Sequence, residues 1–526
     1  MDIKTIKSME KATAQSQNGL TKFVLAFSFI IAVYVWITFF HQSVQNDTFL
    51  IVGAVFGAYM AMNIGANDVA NNVGPAVGSQ ALTMMGAIII AAIFEASGAF
   101  IAGGDVVKTI KKGIIDPAMI NDPQIFIWAM TAALLSAAIW LNLATSIGAP
   151  VSTTHSIVGG VMGAGVAAAG FSIVSWDTMG KIAASWVISP ILGGVIAASF
   201  LYYIKKNIFF KENMLQNAIK VVPILIAIMT WAFSTYIIIK GIKHLIKIPF
   251  PLALTIGLGI AIGIYIFIKP IIAKSAQSLQ NNRENVNTLF TIPLIFSAAL
   301  LSFAHGANDV ANAVGPLAAI NDAIMNNGIN TKVGIPFWVM AVGAFGIAIG
   351  LALYGPKLIK TVGSEITELD QTRAFSIALA ASITVIIASQ LGLPVSSTHI
   401  AVGGVFGVGF LREYLYNSEE NLLKQAKEKF KKDKKELEKL EANFIKIEKL
   451  ETKSQDDYEK IVELYELIQE KKTLVKVEKK DYKSIEKIKY VKRDAIKKIV
   501  ASWIITVPAA AIMSAAVFFM IKGIMA

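Results

Sequence analysis

Two aspartates in this chain stand where a charge is costly, and both occur in the same phrase. The first phrase reads Gly65-Ala66-Asn67-Asp68-Val69-Ala70-Asn71-Asn72-Val73-Gly74-Pro75. The second reads Gly306-Ala307-Asn308-Asp309-Val310-Ala311-Asn312-Ala313-Val314-Gly315-Pro316. Ten of eleven positions agree at an offset of 241 residues, and each phrase ends an apolar run. A charge at the centre of a membrane helix costs roughly 2.5–3.5 kcal/mol, so an acid repeated at that depth is a candidate for function. Carboxylate and amide oxygens there suit a hard monovalent cation such as Na+, or a proton. The amide N–H groups of Asn67, Asn71, Asn308 and Asn312 can donate to an oxyanion. The rival reading is a duplicated packing motif, with small residues for close approach and Asn as interhelical glue. Packing, however, does not require Asp.

A second phrase is also stated twice. It reads Gly148-Ala149-Pro150-Val151-Ser152-Thr153-Thr154-His155 and then Gly392-Leu393-Pro394-Val395-Ser396-Ser397-Thr398-His399. From Pro to His five of six positions agree, at an offset of 244. Ser152, Thr153, Thr154, Ser396, Ser397 and Thr398 place hydroxyls just past prolines that interrupt the backbone. The N–H groups and dipole of the helices that follow favour an anion. Two such helix starts facing each other, with cations on the aspartate side, describe a cation-coupled oxyanion carrier. Back-bonding by Ser and Thr that re-satisfies a broken helix is the structural alternative. His155 and His399 close the phrase; they titrate near physiological pH or merely bond a neighbouring helix. Glu95 is an intramembrane acid without a repeat mate, since the region near Gly343–Gly346 has none. It is a candidate for coupling or substrate contact, with a salt bridge to a loop lysine as the alternative.

The elements that position these residues are helices. Of 526 residues, 55% are hydrophobic and 16% charged, with mean hydropathy +0.59. Many runs approach the ~20 apolar residues that a spanning helix needs. The fold class is therefore an all-α polytopic membrane protein. The net charge of +12 fits lysines gathered in cytoplasmic loops better than nucleic-acid binding. There is no cysteine, which excludes disulfides and Cys-ligated metal, and the five histidines show no metal-ligand spacing. Na+ at Asp68 and Asp309 is the only metal expected, and no cofactor is.

In order, residues 1–21 are a polar cytoplasmic segment and 22–40 an additional N-terminal helix, retained rather than cleaved as a signal. A first transporter repeat covers 48–204 and two intervening helices cover 219–268. A second repeat covers 288–411 and finishes in the helix 497–521, where Ala501-Ser502-Trp503 restates Ala184-Ser185-Trp186. The Gly and Pro around each aspartate read as a broken helix, residues 69–80 as a half-helix that remains at membrane depth, and 104–124 as a loop of mixed charge. Five helices plus two is odd, so the second repeat is expected to be inverted, a plan that places substrate at the midplane. Loops 41–47 and 166–180 are poor in Lys and Arg, whereas 269–289 and 412–496 are basic. That puts the N-terminus inside and the C-terminus outside. Some thirteen crossings are expected. Residues 412–496 have apolar residues every seventh place, at Leu423, Phe430, Leu437 and Phe444 and again at Ile461, Ile468, Val475 and Tyr482. They read as an antiparallel helical hairpin in the cytoplasm.

At these two duplicated phrases the chain resembles the PiT family of inorganic phosphate transporters, over roughly 48–411 and 497–521. The resemblance implies a core of about twelve helices with inverted repeats and broken half-helices, and symport of phosphate with Na+ or H+. It also implies a homodimer whose transport unit moves against a scaffold. Carried over, the family's ligands fall on Asn67, Asp68, Asn308, Asp309 and the two hydroxyl runs, and Glu95 matches an acid of the family's Ile-Phe-Glu segment. Three departures are visible. Ile377-Ala378-Leu379 stands where some members carry another acid, the large insertion follows Phe410 rather than dividing the halves, and helix 22–40 is added. The expectation is an importer of inorganic phosphate in a prokaryotic plasma membrane, with Na+ favoured over H+. The rivals are a sulfate symporter of the same fold, an anion channel, and a phosphate sensor that signals through 412–496. An enzyme is not expected, for there is no activated nucleophile.

Overall fold

The structure, a computed structural model, describes residues 3–40, 48–147, 151–241, 246, 248–326, 334–364, 369–417, 420–450, 454–486 and 493–525. Gly148, Ala149 and Pro150 of the second phrase, the loop 41–47, and His41 and His244 lie outside them. The chain divides into two units, Met1–Val408 with Arg493–Ala526, and Gly409–Lys492.

In bilayer hydrocarbon every backbone N–H and C=O must be paired within the segment, so apolar runs become helices. α1 (Ile3–Phe40) continues through the stretch expected to be a separate polar segment, and its apolar part is Gly19–Phe39. The first repeat follows as α2 (Thr48–Asn67), α3 (Val69–Gly78), α4 (Met84–Ala102), α5 (Gly104–Lys112), α6 (Pro123–Ser146), α7 (Thr153–Ala169) and α8 (Trp176–Ile204). Then come α9 (Met214–Lys240), α10 (Phe250–Ala276) and the short α11 (Arg283–Thr288). The second repeat is α12 (Thr291–Asp309), α13 (Ala311–Met325), α14 (Phe337–Ser364), α15 (Gln371–Gln390), α16 (Ser397–Asn417) and α19 (Arg493–Met525). α17 (Glu420–Glu448) and α18 (Gln455–Glu486) form the insertion. Among the described residues eleven helical stretches are long and apolar enough to cross a membrane, and α7 and α16 are not among the eleven.

Two local expectations are corrected. The stretch 104–124 is not a plain loop. α5 lies within it and its charges enter ion pairs: Lys240, buried, reaches the half-buried Asp105 at 2.5 Å, and Lys111 meets Asp322 of α13, both nearly buried. Thr109 also donates to the carbonyl of Gly392 at 2.7 Å, which ties α5 to the turn before the second hydroxyl run. Nor do the prolines break the helices at the aspartates. α2 runs into α3 with one interrupted residue, Asp68, and α12 into α13 with one, Val310, both in helical dihedrals. Pro75 and Pro316 lie inside α3 and α13. Lacking an N–H, they leave the carbonyls of Asn71 and Asn312 without their intrahelical donors.

Close packing within the first unit repeats between the halves. Gly65 of α2 lies against the carbonyl of Ile347 on α14, and Gly306 of α12 lies in the same way against that of Glu95 on α4. Gly163 of α7 meets the carbonyl of Ala511 on α19, and Gly407 of α16 meets that of Gly194 on α8. The last helix of each repeat therefore packs on the hydroxyl-bearing helix of the other.

In the second unit α17 and α18 pair antiparallel. Lys471 lies 3.2 Å from Asp433 and 2.8 Å from Glu436, Lys429 lies 3.2 Å from Glu478, and the rings of Phe444 and Tyr465 are 6.4 Å apart. The sevenfold residues Phe430, Leu437, Ile461 and Val475 are half-buried and Ile468 is buried, whereas Leu467 and Leu474 face solvent.

Candidate functional site

The two duplicated phrases come together in one buried cluster, and its hydrogen bonds obey the same offsets as the sequence. Thr153 donates to Asp68 Oδ2 at 2.7 Å, and its mate Ser397 donates to Asp309 Oδ2 at 3.0 Å. Asn71 reaches across to Thr398 Oγ1 at 2.8 Å, and Asn312 reaches across to Thr154 Oγ1 at 3.2 Å and Thr153 Oγ1 at 3.1 Å. Asn67 donates to Thr145 Oγ1 at 2.8 Å, and Asn308 to Ser389 Oγ at 3.1 Å. The aspartates, the four asparagines and the hydroxyls of both runs are all fully or almost fully buried.

The pattern departs from symmetry at the second aspartate. Thr398 donates to Asp68 Oδ1 at 2.9 Å, whereas its mate Thr154 donates to the carbonyl of Val395 at 2.9 Å. Among the described residues Asp309 Oδ1 then finds no donor, nor do Asn71 Oδ1 and Asn312 Oδ1. Buried oxygens left without a donor are costly unless something else fills the place. Asp309 Oδ2 lies 2.7 Å from His305 Nε2, and His305 Nδ1 lies 2.7 Å from Glu95 Oε2. Asn72 donates to Glu95 Oε1 at 2.7 Å. A ligand atom from each of Asp68, His305 and Asp309 lies within 4.8 Å of the other two.

Glu95 therefore pairs with His305 and Asn72, not with a loop lysine. Its place in the other half is held by Ile347, and that of His305 by Ile64, both fully buried. Neither His305 nor Asn72 stands out in the sequence as a site residue. Each sits where the repeat fails: Asn72 is the single mismatch of the duplicated phrase, and His305 stands one residue before it where the first copy has isoleucine. The acid without a mate and the residues without mates are one feature.

The remaining candidates lie apart from the carboxylates. Ser152 Oγ accepts from the N–H of His155 at 3.1 Å and Ser396 Oγ from that of His399 at 3.2 Å, so both serines cap the helices they open. The rings of His155 and His399 are 4.5 Å apart, each against a tryptophan, Trp186 at 3.8 Å and Trp503 at 3.6 Å. They meet each other and aromatic faces rather than the aspartates.

Chemically, the cluster offers acceptor oxygens without donors beside the starts of α7 and α16. The first suits a cation. The second, with the positive ends of two helices, suits an anion.

The phosphate transporter family model matches residues 64–514. A provisionally named phosphate permease of Helicobacter pylori (strain ATCC 700392 / 26695) is 52% identical over 531 residues, covering 98% of each chain. One from Pyrococcus furiosus, named in the same way, is 41% identical over 372 residues, covering 70% of this chain and 88% of its own. A solved structure described as the sodium-dependent phosphate transporter superposes with a TM-score of 0.73 at 31% identity, covering 90% of this chain and 99% of that one. The chain belongs to the phosphate transporter family: it is an integral membrane transport protein and not an enzyme.

Proposed function

We propose that this member of the phosphate transporter family is a secondary active symporter that imports inorganic phosphate with Na+. Asp68 and Asp309 ligate the cation. The starts of α7 and α16, with Thr153, Thr154, Ser397 and Thr398, hold the phosphate, and Asn67, Asn71, Asn308 and Asn312 set the hydroxyls. The observation that carries the reading is the donorless Asp309 Oδ1, buried beside Asp68 with the amide oxygens of Asn71 and Asn312 also unfilled. The likeness to a sodium-dependent transporter supports Na+.

Coupling follows from electrostatics. A carboxylate about 5 Å from a phosphate oxygen repels it by about 3 kcal/mol at an effective dielectric constant of about 20. An unneutralised aspartate thus weakens phosphate binding by roughly two orders of magnitude, and a bound cation removes that penalty. Phosphate and cation then load together. An inverted arrangement of the repeats, N-terminus inside and C-terminus outside, gives a central site to which either side gains access in turn. The membrane is a prokaryotic plasma membrane.

A second reading is favoured by one contact. His305 lies 2.7 Å from both Glu95 and Asp309, a path for a proton, so H+ is the rival coupling ion. Uptake of labelled phosphate into proteoliposomes decides between them. Uptake driven by a Na+ gradient and indifferent to excess sulfate supports the proposal. Uptake driven only by a pH gradient moves coupling to the Glu95–His305–Asp309 chain. Sulfate uptake in place of phosphate overturns the substrate.

A further inference from the structure

A cavity of about 600 Å3 lies beside the central site in the first unit. Its size is that of a small-molecule site, and its wall is largely apolar, along Phe23, Phe27, Ile30 and Met62, with cationic and polar groups set into it. Lys22 of α1 and Lys357 of α14 face it, with the amides of Asn63 and Asn142 and the hydroxyls of Tyr59 and Thr145; none of its described lining residues is Asp or Glu. Its inner wall abuts the site directly. Asn142 donates to Asn63 Oδ1 at 3.4 Å, and Ala66 precedes Asn67, whose amide holds Thr145 at 2.8 Å. At its rim the Lys357 ammonium donates to the carbonyl of Ser146 at 3.2 Å.

The other half of the molecule offers a comparison at one wall. A pocket of about 420 Å3 borders α15, the repeat mate of α6, and is lined by Trp231, Tyr236, Ile383 and Ile386. At the offset of 244, Ile386 stands where the first pocket has Asn142, and Gln390 where it has Ser146. Neither lysine has a counterpart among the residues lining it. The two pockets correspond only along the α6 and α15 walls, the rest of the second coming from α9 and α10. What differs is the pair of lysines and the pair of asparagines, which the first pocket has and the second lacks.

We infer that the cavity lined by Lys22 and Lys357 is an anion vestibule. It holds inorganic phosphate one step from the central site, and the Asn67–Thr145 hydrogen bond is the partition between them. Its ligand is a doubly or singly charged oxyanion, recognised by two ammonium groups, two amides and a hydroxyl. Identifying that oxyanion as phosphate rests on the transport reading above. α1, which lies outside the two repeats and outside the matched family region, here contributes a residue to the substrate path.

The chain has no cysteine, so Ser146→Cys places a single thiol in the cavity, and Ala26→Cys on α1 provides a second reporter position. In the full-length protein in proteoliposomes, a negatively charged sulfonate methanethiosulfonate should modify this thiol at least about tenfold faster than a trimethylammonium analogue, after correction for their rates with a free thiol. Inorganic phosphate should slow the reaction. Adding Lys22→Gln and Lys357→Gln should erase both effects, while Lys22→Arg with Lys357→Arg should keep them. In uptake, the Gln pair should raise KM for phosphate several-fold with little change in maximal rate. Absence of the anionic preference, or its survival in the Gln pair, overturns the vestibule. So does an anionic preference that phosphate does not oppose while the wild-type chain carries phosphate. If preference and protection stand but no phosphate crosses, the vestibule holds and the transport reading falls.

Discussion

Asp68 and Asp309 are equivalent by sequence and differ in their surroundings. Asp68 has both oxygens held by threonine hydroxyls, whereas Asp309 shares one oxygen between Ser397 and His305 and its other finds no donor among the described residues. Asp68→Asn and Asp309→Asn are nearly isosteric, so each should leave insertion intact and reduce Na+-driven phosphate uptake by at least about a hundredfold, the scale of one buried charge. Wild-type uptake in either variant would remove the cation-ligand role. The Glu95–His305 pair permits a sharper test. Removing one partner of a buried ion pair costs about 3–5 kcal/mol, while replacing both by apolar residues is often neutral. The molecule already has the apolar version in Ile64 and Ile347. His305→Ile alone should therefore lower thermal stability and yield in detergent, and Glu95→Ile with His305→Ile should recover both without recovering transport. If the double variant transports normally, the pair is structural only. The aspartates were legible in the sequence because they are repeated. His305 and Asn72 were not, because their signal is the failure of a repeat, and only the distances to Glu95 turn that failure into a site.

Helices were legible wherever an apolar run reached membrane thickness, since the bilayer leaves the backbone no alternative. What the pattern hid was short and polar. α5 has the local pattern of a loop because it carries Asp105, Lys108, Lys111 and Lys112; the partners of its charges, Asp322 and Lys240, lie far along the chain, where no local window contains them. The Gly and Pro around the aspartates have the pattern of a break there. Yet each proline sits about two turns later, inside a helix, because a helix can absorb a missing N–H when a neighbouring group satisfies the freed carbonyl. Close approach of the helices is the device that holds the site, and it can be tested at the glycines. A Cβ at Gly306 would overlap the carbonyl of Glu95, and one at Gly65 that of Ile347. Gly306→Ala and Gly65→Ala should each cost about 1–3 kcal/mol or more by overpacking, read as a lower melting temperature and lost uptake. Gly259→Ala and Gly263→Ala on α10 meet nothing within 4 Å and should leave both unchanged. Equal effects at all four positions would mean that these helices do not approach as described.

At the scale of the whole molecule, the chain is a transporter unit carrying an insertion that folds on its own terms. The seam of α17 and α18 faces inward, its partners are each other's residues, and its ion pairs, at least partly exposed, contribute little individually. The sevenfold spacing made this hairpin legible, though nothing in its composition names a partner. The insertion bears on transport in one of two ways. If the arm were part of the mechanism, relatives would need it. The Pyrococcus furiosus protein matches 372 residues, 88% of its own length but only 70% of this chain, so a good part of this chain lies outside what the two share. The Helicobacter pylori protein matches over 98% of both chains, so the longer form is shared by some members and is not an accident of this sequence. Both facts fit an accessory that is retained for a purpose other than the crossing itself. Deleting 419–495 and closing the gap with a short linker should therefore leave phosphate uptake within roughly twofold, the scale of a surface change of about 0.5 kcal/mol. Because α16 and α19 must still meet their partners α8 and α7, the linker should be flexible and long enough not to strain either helix. Complete loss of uptake in a deletion variant that is folded and inserted would place the arm inside the transport cycle. Retained uptake would separate the two units functionally as they are separated structurally, and would leave a sensor role as something the arm adds to a working carrier rather than a substitute for one.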